Sequence, residues 1–398
     1  MTTHEGMAEV SGMAAASAGA RVWVERLTLT DFRNHARLSH TFDARPVVLT
    51  GPNGAGKTNL IEAISLLAPG QGLRRAPYPE IARRGADAWA VAARVHTPIG
   101  PVDIGTGLTG ASTASNRAGR TVRIDGEAQS GSGILAEYVE MVWLTPAMDG
   151  LFTGAGGDRR RFLDRMILCF DPGYRTRVNH FERAMAQRNR LLEEGVRDNA
   201  RLEGLEIVMA ETGVAMAAAR AQTVAALATM IEARRDRTTA SAFPWAKLEL
   251  EGELEAALAV RAAVEVEDAY ARTLASVRER DRAAGRALDG PHRSDLVVGH
   301  GPKDAPARQC STGEQKALLV GLILAHAELM AERRRGAAPI LLLDEIAAHL
   351  DAARRAALFD EIIAIGTQAW MTGTDLEAFS ALGERAQRLT LGEYGTPQ

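Results

Sequence analysis

Residues 51–58 read Gly51-Pro52-Asn53-Gly54-Ala55-Gly56-Lys57-Thr58, which is the spacing G-x-x-x-x-G-K-[S/T] of a phosphate-binding loop. The preceding residues 46–50 are short, apolar and β-branched, which predicts a buried strand, and residues 59–67 repeat apolar side chains at helical spacing. In this setting backbone N–H groups converge on phosphate oxygens at the positive end of a helix dipole. We therefore predict a nucleotide site made by residues 51–59, with Lys57 on the β- and γ-phosphates, Thr58 on Mg²⁺ and Asn59 at its end.

A second candidate strand, Ile340-Leu341-Leu342-Leu343, ends in the carboxylates Asp344 and Glu345. A strand-terminal aspartate suits an Mg²⁺–nucleotide as a metal partner, and a following glutamate can act as general base toward the attacking water. An acid-rich helix start would explain one carboxylate but not the pair. We predict that Asp344 holds Mg²⁺ together with Thr58, and that Glu345, Lys57 and Asp344 are the catalytic residues.

A polar segment, Ser311-Thr312-Gly313-Glu314-Gln315, precedes a long apolar helical pattern. It places hydroxyl and backbone donors at a helix start, which suits an anion, although the segment taken alone is better explained as an ordinary N-cap. Its position shortly before Asp344 resembles the signature motif of the ABC-type ATPases, which implies that it completes the nucleotide site of a second subunit. His349-Leu350-Asp351 resembles the D-loop of that superfamily, and the helix start predicts a lowered pKa for the Cys310 thiol.

The separation of these motifs to the two ends of the chain resembles the SMC-like branch of the ABC-type ATPases. Four further stretches are similar to the RecF family of bacterial recombination mediators: Leu29-Thr30-Asp31-Phe32-Arg33-Asn34, Arg159-Arg160-Arg161-Phe162-Leu163-Asp164-Arg165, Gln187-Arg188-Asn189-Arg190-Leu191-Leu192 and Gly290-Pro291-His292-Arg293-Ser294-Asp295-Leu296. The resemblance covers roughly residues 22–391. It implies an α/β fold, an ABC-type phosphate-loop ATPase head assembled from both chain ends, with an inserted, mainly helical lobe.

The domain organisation follows from the same patterns. Residues 21–150 and 286–398 are predicted to form the ATPase head, lobe I, and residues 151–285 the helical lobe II. Residues 1–20 are rich in Ala, Gly, Ser and Met without a secretory pattern, so we expect a disordered extension or a misassigned start codon. Residues 91–95 and 121–124 are strand candidates, and the Gly/Ser/Thr-rich residues 105–119 between them predict a loop.

Composition limits the class of protein. With 398 residues the chain is too long for one compact core, and its 2 cysteines indicate a reducing compartment, the cytoplasm. No stretch is predicted to span a bilayer. The net charge of −3 is discordant with strong DNA binding, so local basic clusters matter more than the sum. Among these clusters, which include Arg188 with Arg190, we take Arg159, Arg160 and Arg161 as candidates for DNA contact or for coupling the lobes.

The resemblance implies a function. It implies ATP and Mg²⁺ as cofactors and an ATP-dependent homodimer that binds gapped or single-/double-strand junction DNA. It further implies help in loading RecA, with RecR as partner and RecO in the pathway, and hydrolysis that resets the dimer. The segment Thr372-Gly373-Thr374 stands where transporters place a switch histidine, and no clear Q-loop glutamine is found, so slow hydrolysis is expected. Two alternatives remain: an SMC-like ATPase of another DNA pathway, and a nucleotide-switched protein scaffold with little DNA contact.

Overall fold

The chain forms two compact units. A computed structural model describes residues 21–109, 119–195, 198–237, 243–348 and 350–392. The first unit holds the described residues up to Met148, Phe243 and those from Leu319 onward, and the second holds the described residues of Asp149–Thr239 and Pro244–Leu318. The predicted extension 1–20, most of the predicted loop and His349 of the predicted D-loop lie outside the described residues.

An antiparallel sheet makes one layer of the first unit. Its six strands are β1 (Trp23–Phe32), β2 (His35–Thr41), β4 (Trp89–Thr97), β5 (Gly100–Leu108), β6 (Thr121–Ile124) and β7 (Glu127–Gln129), in the order β2-β1-β4-β5-β6-β7. Buried and exposed residues alternate along β4, as expected of a sheet with one face on the core. The strands predicted at residues 91–95 and 121–124 are confirmed as parts of β4 and β6. The prediction of a loop from residue 105 is wrong, because residues 105–108 pair with β4 as the end of β5.

A parallel sheet makes the other layer. Its five strands are β3 (Val47–Thr50), β8 (Met141–Leu144), β12 (Ile340–Leu343), β13 (Ala369–Thr372) and β14 (Gln387–Thr390), in the order β14-β3-β13-β12-β8. Strands β3, β12 and β13 are buried along their whole length. The carboxyl ends of parallel strands lie at one edge of a sheet, so the residues that follow β3, β12 and β13 meet there.

The helix that follows the phosphate loop joins the two layers. Helix α1 (Lys57–Ser65) buries Leu60, Ile61 and Ile64 in a core shared with residues of both sheets, among them Leu29 and Leu342. These are the apolar positions of the helical pattern in the sequence. The α/β fold class, with a head built from both chain ends, is confirmed.

The second unit is mainly helical, as expected. Its helices are α2 (Gly156–Leu168), α3 (Tyr174–Glu193), α4 (Asn199–Arg237), α5 (Glu253–Leu258), α6 (Ala263–Ser276) and α7 (Arg278–Ala284), with a small antiparallel sheet of β9 (Ala246–Glu251), β10 (Asp295–His300) and β11 (Ala305–Pro306). Helix α8 (Thr312–Arg333) begins in this unit and continues into the first, where α9 (Ala352–Ile365) lies.

The second unit extends further along the chain than the sequence indicates. The return to the first unit was expected at residue 286, but it occurs after Leu318. The reason is strand pairing, because β10 pairs antiparallel with β9 over its full length, which keeps residues 295–300 in the second unit. Ser311 and the rest of the signature segment therefore belong to the second unit.

One helix among the described residues, α4, is long and apolar enough by length and composition to cross a membrane. Buried core helices pass the same test, so this finding does not contradict the prediction that no stretch spans a bilayer. In its most apolar window of 18 residues, 56% of the residues are buried inside the protein. Met209, Val214 and Leu227 are among the buried residues of α4, whereas Ile207 and Val208 are exposed. Helix α4 thus packs part of its apolar surface within the second unit.

A buried ionic network holds the helices of this unit together. The fully buried Arg188 of α3 donates to Glu206 Oε1 at 2.9 Å, to Asp281 Oδ2 at 2.7 Å and to Leu274 O at 2.7 Å. Glu206 and Asp281 are each 1% exposed. Arg188 therefore does not form a surface cluster with Arg190, and that prediction is wrong.

Candidate nucleotide-binding site

The phosphate loop has the backbone that its glycines allow. Gly51, Gly54 and Gly56 have φ of 138°, 83° and 94°, which side-chain-bearing residues rarely adopt. A Cβ on Gly56 would also lie 2.6 Å from the amide of Asn34 and 2.8 Å from His35 Nε2. The loop thus passes from β3 into α1, with its backbone pressed against the turn between β1 and β2.

The ammonium group of Lys57 lies inside the loop. Its Nζ donates to Gly51 O at 2.7 Å and to Pro52 O at 3.0 Å. Burial lowers the pKa of Lys57, and the nearby charges of Glu345 and Asp344 oppose that shift. The positive charge is therefore concentrated between the loop and the two carboxylates.

Three strand ends meet in one set of hydrogen bonds. Thr58 Oγ1 donates to Asp344 Oδ1 at 3.0 Å, which joins the loop after β3 to the residue after β12. Thr372 Oγ1, at the end of β13, donates to the same Oδ1 at 2.7 Å and accepts the backbone N–H of Glu345 at 2.8 Å. Thr372 lies between the two because β13 separates β3 from β12. The sequence had marked Thr372 only as the site of a missing histidine.

The two successive carboxylates have different surroundings. Asp344 is 5% exposed, whereas Glu345 is exposed. Glu345 has a φ of 51°, a left-handed conformation that is uncommon outside glycine and is found at functional sites. The N–H bond to Thr372 holds this turn in place. One carboxylate is therefore fixed beside Thr58, and the other faces solvent.

The oxygens of this cluster fit a hard divalent cation. Thr58 Oγ1 and Asp344 Oδ1 are the oxygen donors that Mg²⁺ prefers, and Mg²⁺ commonly keeps water and substrate phosphates as its other ligands. The described residues contain no group of three or more His, Cys, Asp and Glu side chains that could hold a metal ion alone. The donor set therefore fits Mg²⁺ bound together with a nucleotide.

A polar network supports the other side of the loop. Asn59 Nδ2 donates to Asn34 Oδ1 at 2.7 Å, and Arg74 donates to Asn59 Oδ1 at 2.8 Å. Arg33 forms a two-bonded pair with the buried Glu62 at 2.9 and 2.6 Å. The Nδ2 of Asn34 is buried and has no hydrogen-bond partner among the described residues. The network thus leaves one buried donor beside the phosphate loop.

The signature segment begins α8 with a capping box. Glu314 N–H donates to Ser311 Oγ at 3.4 Å, and the Glu314 carboxylate accepts from the N–H and hydroxyl of Ser311 at 3.1 and 2.9 Å. The hydrogen-bonded ion pair with Lys303, together with the bonds to Ser311, lowers the pKa of Glu314 to about 2. Gln315 Nε2 donates to Cys310 O at 2.8 Å. Burial and the charge of Glu314 raise the pKa of Cys310, so its predicted lowering is wrong.

The arginines at positions 159–161 form hydrogen bonds and ion pairs with other residues of the second unit. Arg159 forms a two-bonded pair with Asp295 at 2.8 and 2.6 Å, and Arg160 donates to Ser294 O at 2.7 Å. Arg161 pairs with Asp158 on the surface. Arg159 and Arg160 therefore attach α2 to the start of β10, a use of these arginines that the sequence did not indicate. Contact of this run with DNA stays a prediction, and these internal bonds weigh against it.

Known proteins resemble this chain over nearly its whole length. The family model of the RecF/RecN/SMC N terminal domain matches residues 23–372. The DNA replication and repair protein RecF of Mesorhizobium japonicum is 54% identical over 95% of this chain and 98% of its own. The chain belongs to the RecF family of DNA replication and repair proteins. RecF of Rhizobium etli is 53% identical over 94% of this chain and 98% of its own.

Solved structures agree with RecF-family membership at the level of the fold. The recombination mediator protein RecF-ATPrS of the RecFOR pathway has a TM-score of 0.79 at 20% identity, covering 95% of this chain and 98% of that chain. The Smc head domain of Pyrococcus furiosus has a TM-score of 0.53 at 16% identity over 95% of both chains. As a RecF-family protein the chain is an SMC-like ABC-type ATPase.

Proposed function

We propose that this protein is an ATP-switched DNA-binding recombination mediator whose nucleotide site consists of residues 51–59, Asp344 and Glu345. Lys57 and the loop N–H groups bind the phosphates, and Glu345 acts as general base toward water. The hydrogen bonds between Thr58, Asp344 and Thr372 carry this proposal, because they bring together a loop and carboxylates from opposite ends of the chain.

Thr58 and Asp344 would hold Mg²⁺, which would neutralise charge on the β- and γ-phosphate oxygens when bound. Thr372 keeps Asp344 Oδ1 oriented toward Thr58 and keeps the backbone of Glu345 in its turn. Glu345 lies exposed beside this set, where it can accept a proton from water.

The signature segment Ser311–Gln315 completes the site of a second copy in this proposal. Two ATP molecules then join two chains in a homodimer, and hydrolysis releases them. Ser311 is exposed and suited to such a contact. Its hydroxyl already bonds Glu314 within the capping box, so dimer formation exchanges that bond for one to the γ-phosphate of the partner's nucleotide.

The dimer is proposed to bind gapped or junction DNA in the cytoplasm and to help load RecA, with RecR and RecO as partners. The relatives named RecF and a similar structure of RecF with ATP in the RecFOR pathway support this assignment. They also disfavour an SMC-like ATPase of another pathway. The scaffold alternative predicts little DNA contact, and a DNA-binding experiment distinguishes it from the mediator function.

Titration of labelled gapped duplex with the full-length protein is the test. We expect binding that requires ATP and Mg²⁺ and weakens steeply with salt, because phosphate contacts release counterions. Fluorescence anisotropy with and without ATP measures it, and Lys57→Ala, which loses the charge against the phosphates, is the matched control. ATP binding without DNA binding at low salt would favour the scaffold alternative.

Removing the Thr372 hydroxyl is expected to slow ATP turnover. Thr372→Val leaves the Glu345 N–H unpaired and takes one donor from Asp344. A loss of about 1–3 kcal/mol in the transition state should slow turnover roughly 5- to 150-fold. Steady-state phosphate release measures the effect. Thr374→Val, which removes an exposed hydroxyl two residues later, is the control. Equal rates in the two variants would refute the positioning role of Thr372.

A large cation at position 311 is expected to prevent dimer formation. Ser311→Arg should leave ATP binding by the monomer intact, because the segment acts on the partner's nucleotide. Sedimentation with ATP and Mg²⁺ measures the dimer. Loss of the helix cap alone costs about 1 kcal/mol, and Ser311→Ala, which removes the cap without adding a large cation, controls for it. A normal ATP-dependent dimer of Ser311→Arg would remove the signature role from this segment.

A further inference from the structure

Helix α3 carries a row of hydrogen-bond donors on the surface of the second unit. Arg175, Asn179, Arg183 and Gln187 follow one another at intervals of four residues, and all four are exposed. Residues four apart lie on the same side of an α-helix, so these side chains form one stripe, here called the α3 stripe. The opposite side of the helix is buried and packs through Tyr174, Phe181, Ala184, Arg188, Leu191 and Leu192.

The donors of the α3 stripe are not used inside the protein. None of its four side chains makes a hydrogen bond or ion pair with any residue that the structure describes. The arginines of the predicted basic clusters do have partners inside the protein. Arg159 and Arg160 bond to the start of β10, and Arg188 is buried against two carboxylates. The stripe therefore presents arginines whose binding capacity is still available.

The charge and length of the stripe suit a nucleic-acid backbone. The carboxylates on α3 and at its ends are partly neutralised, because Asp171 pairs with Arg177 and Glu194 pairs with Arg190. Glu182 and Glu193 are exposed on the same helix. Arg175 and Gln187 are twelve helical steps apart, which is about 18 Å at the helical rise of about 1.5 Å per residue. One DNA strand presents a phosphate about every 3.4 Å of axis, so the stripe covers roughly five phosphates.

We propose that the α3 stripe contacts the phosphate backbone of DNA, an inference that rests on the proposed DNA-binding function. Arginine binds phosphate oxygens through its planar fork, and asparagine and glutamine amides donate to them without reading the base sequence. A homodimer presents two stripes, which raises the overall affinity. A local donor surface of this kind accounts for DNA binding by a chain with a net charge of −3.

The test uses the full-length protein with a non-hydrolysable ATP analogue and Mg²⁺. Arg175→Ala with Arg183→Ala removes both charges of the stripe, and Arg261→Ala with Arg272→Ala removes two exposed arginines elsewhere in the same unit. Anisotropy of a labelled gapped duplex is measured over a salt series. Two lost phosphate contacts should weaken binding roughly 60-fold at 0.1 M salt and reduce the salt slope by about 1.8, while the control pair stays near the parent.

A conservative pair keeps the test independent of folding. Arg175→Lys with Arg183→Lys retains both charges and is expected to recover most of the affinity. Equal DNA affinity of the two alanine pairs would overturn the assignment and point instead to an acidic protein as the partner of the stripe. A loss that lysine fails to restore would also overturn it. A parent protein that binds ATP but no DNA would instead refute the proposed function.

Discussion

Replacing Arg188 by leucine is expected to lower the free energy of unfolding of the second unit by about 3–5 kcal/mol. The change leaves Glu206 and Asp281, each 1% exposed, without the guanidinium that faces both. A buried carboxylate without its partner loses both the hydrogen bond and the charge that offset its removal from water. Arg278 still pairs with Glu206 and Arg280 lies 3.5 Å from Asp281, so each carboxylate keeps part of its compensation at the edge of the network.

Urea unfolding followed by circular dichroism measures this change. Arg190→Leu is the matched control, because Arg190 lies two residues later on the same helix and its side chain is 78% exposed. Surface changes of that kind stay within about 0.5 kcal/mol. If Arg188→Leu were as stable as Arg190→Leu, the network would not contribute to the stability of the helical unit.

Glu345→Gln is expected to reduce ATP hydrolysis by roughly 10²- to 10⁴-fold while leaving ATP affinity nearly unchanged. Glutamine keeps the size and the exposed position of Glu345 but cannot take a proton from water. Asp344, Thr58 and Lys57 still bind the nucleotide in this proposal. The ATP-bound dimer should therefore accumulate, and its DNA complex should persist.

Single-turnover hydrolysis and size-exclusion chromatography with ATP measure the two effects. Glu384→Gln removes an exposed carboxylate elsewhere in the first unit and serves as the control. Hydrolysis at the parent rate in Glu345→Gln would remove the general-base role from this residue. Slow hydrolysis without an accumulated dimer would instead show that ATP hydrolysis is not the step that releases the dimer.

The phosphate loop and the apolar strand before Asp344 were predictable because their signals are local. Gly51, Gly54 and Gly56 permit the positive φ angles that the phosphate loop needs. The apolar residues that follow Thr58 define the face of the next helix that is buried. The fold class and RecF-family membership follow from such local segments and their order. The helical character of the second unit was also readable, because its apolar positions recur with the period of a helix.

The arrangement of residues distant in the chain was not predictable, because it depends on strand order and on the packing of charged side chains. The position of β13 between β3 and β12 makes Thr372 part of the site. Because β10 pairs with β9, the second unit extends to Leu318 and includes the signature segment, which the sequence had assigned to the head. Arg159, Arg188 and Arg183 look alike in the sequence, yet the first is half-buried and paired with Asp295, the second is buried and the third is exposed. The sequence shows how many arginines the chain has. Whether an arginine is available to a partner depends on which carboxylates the fold places beside it.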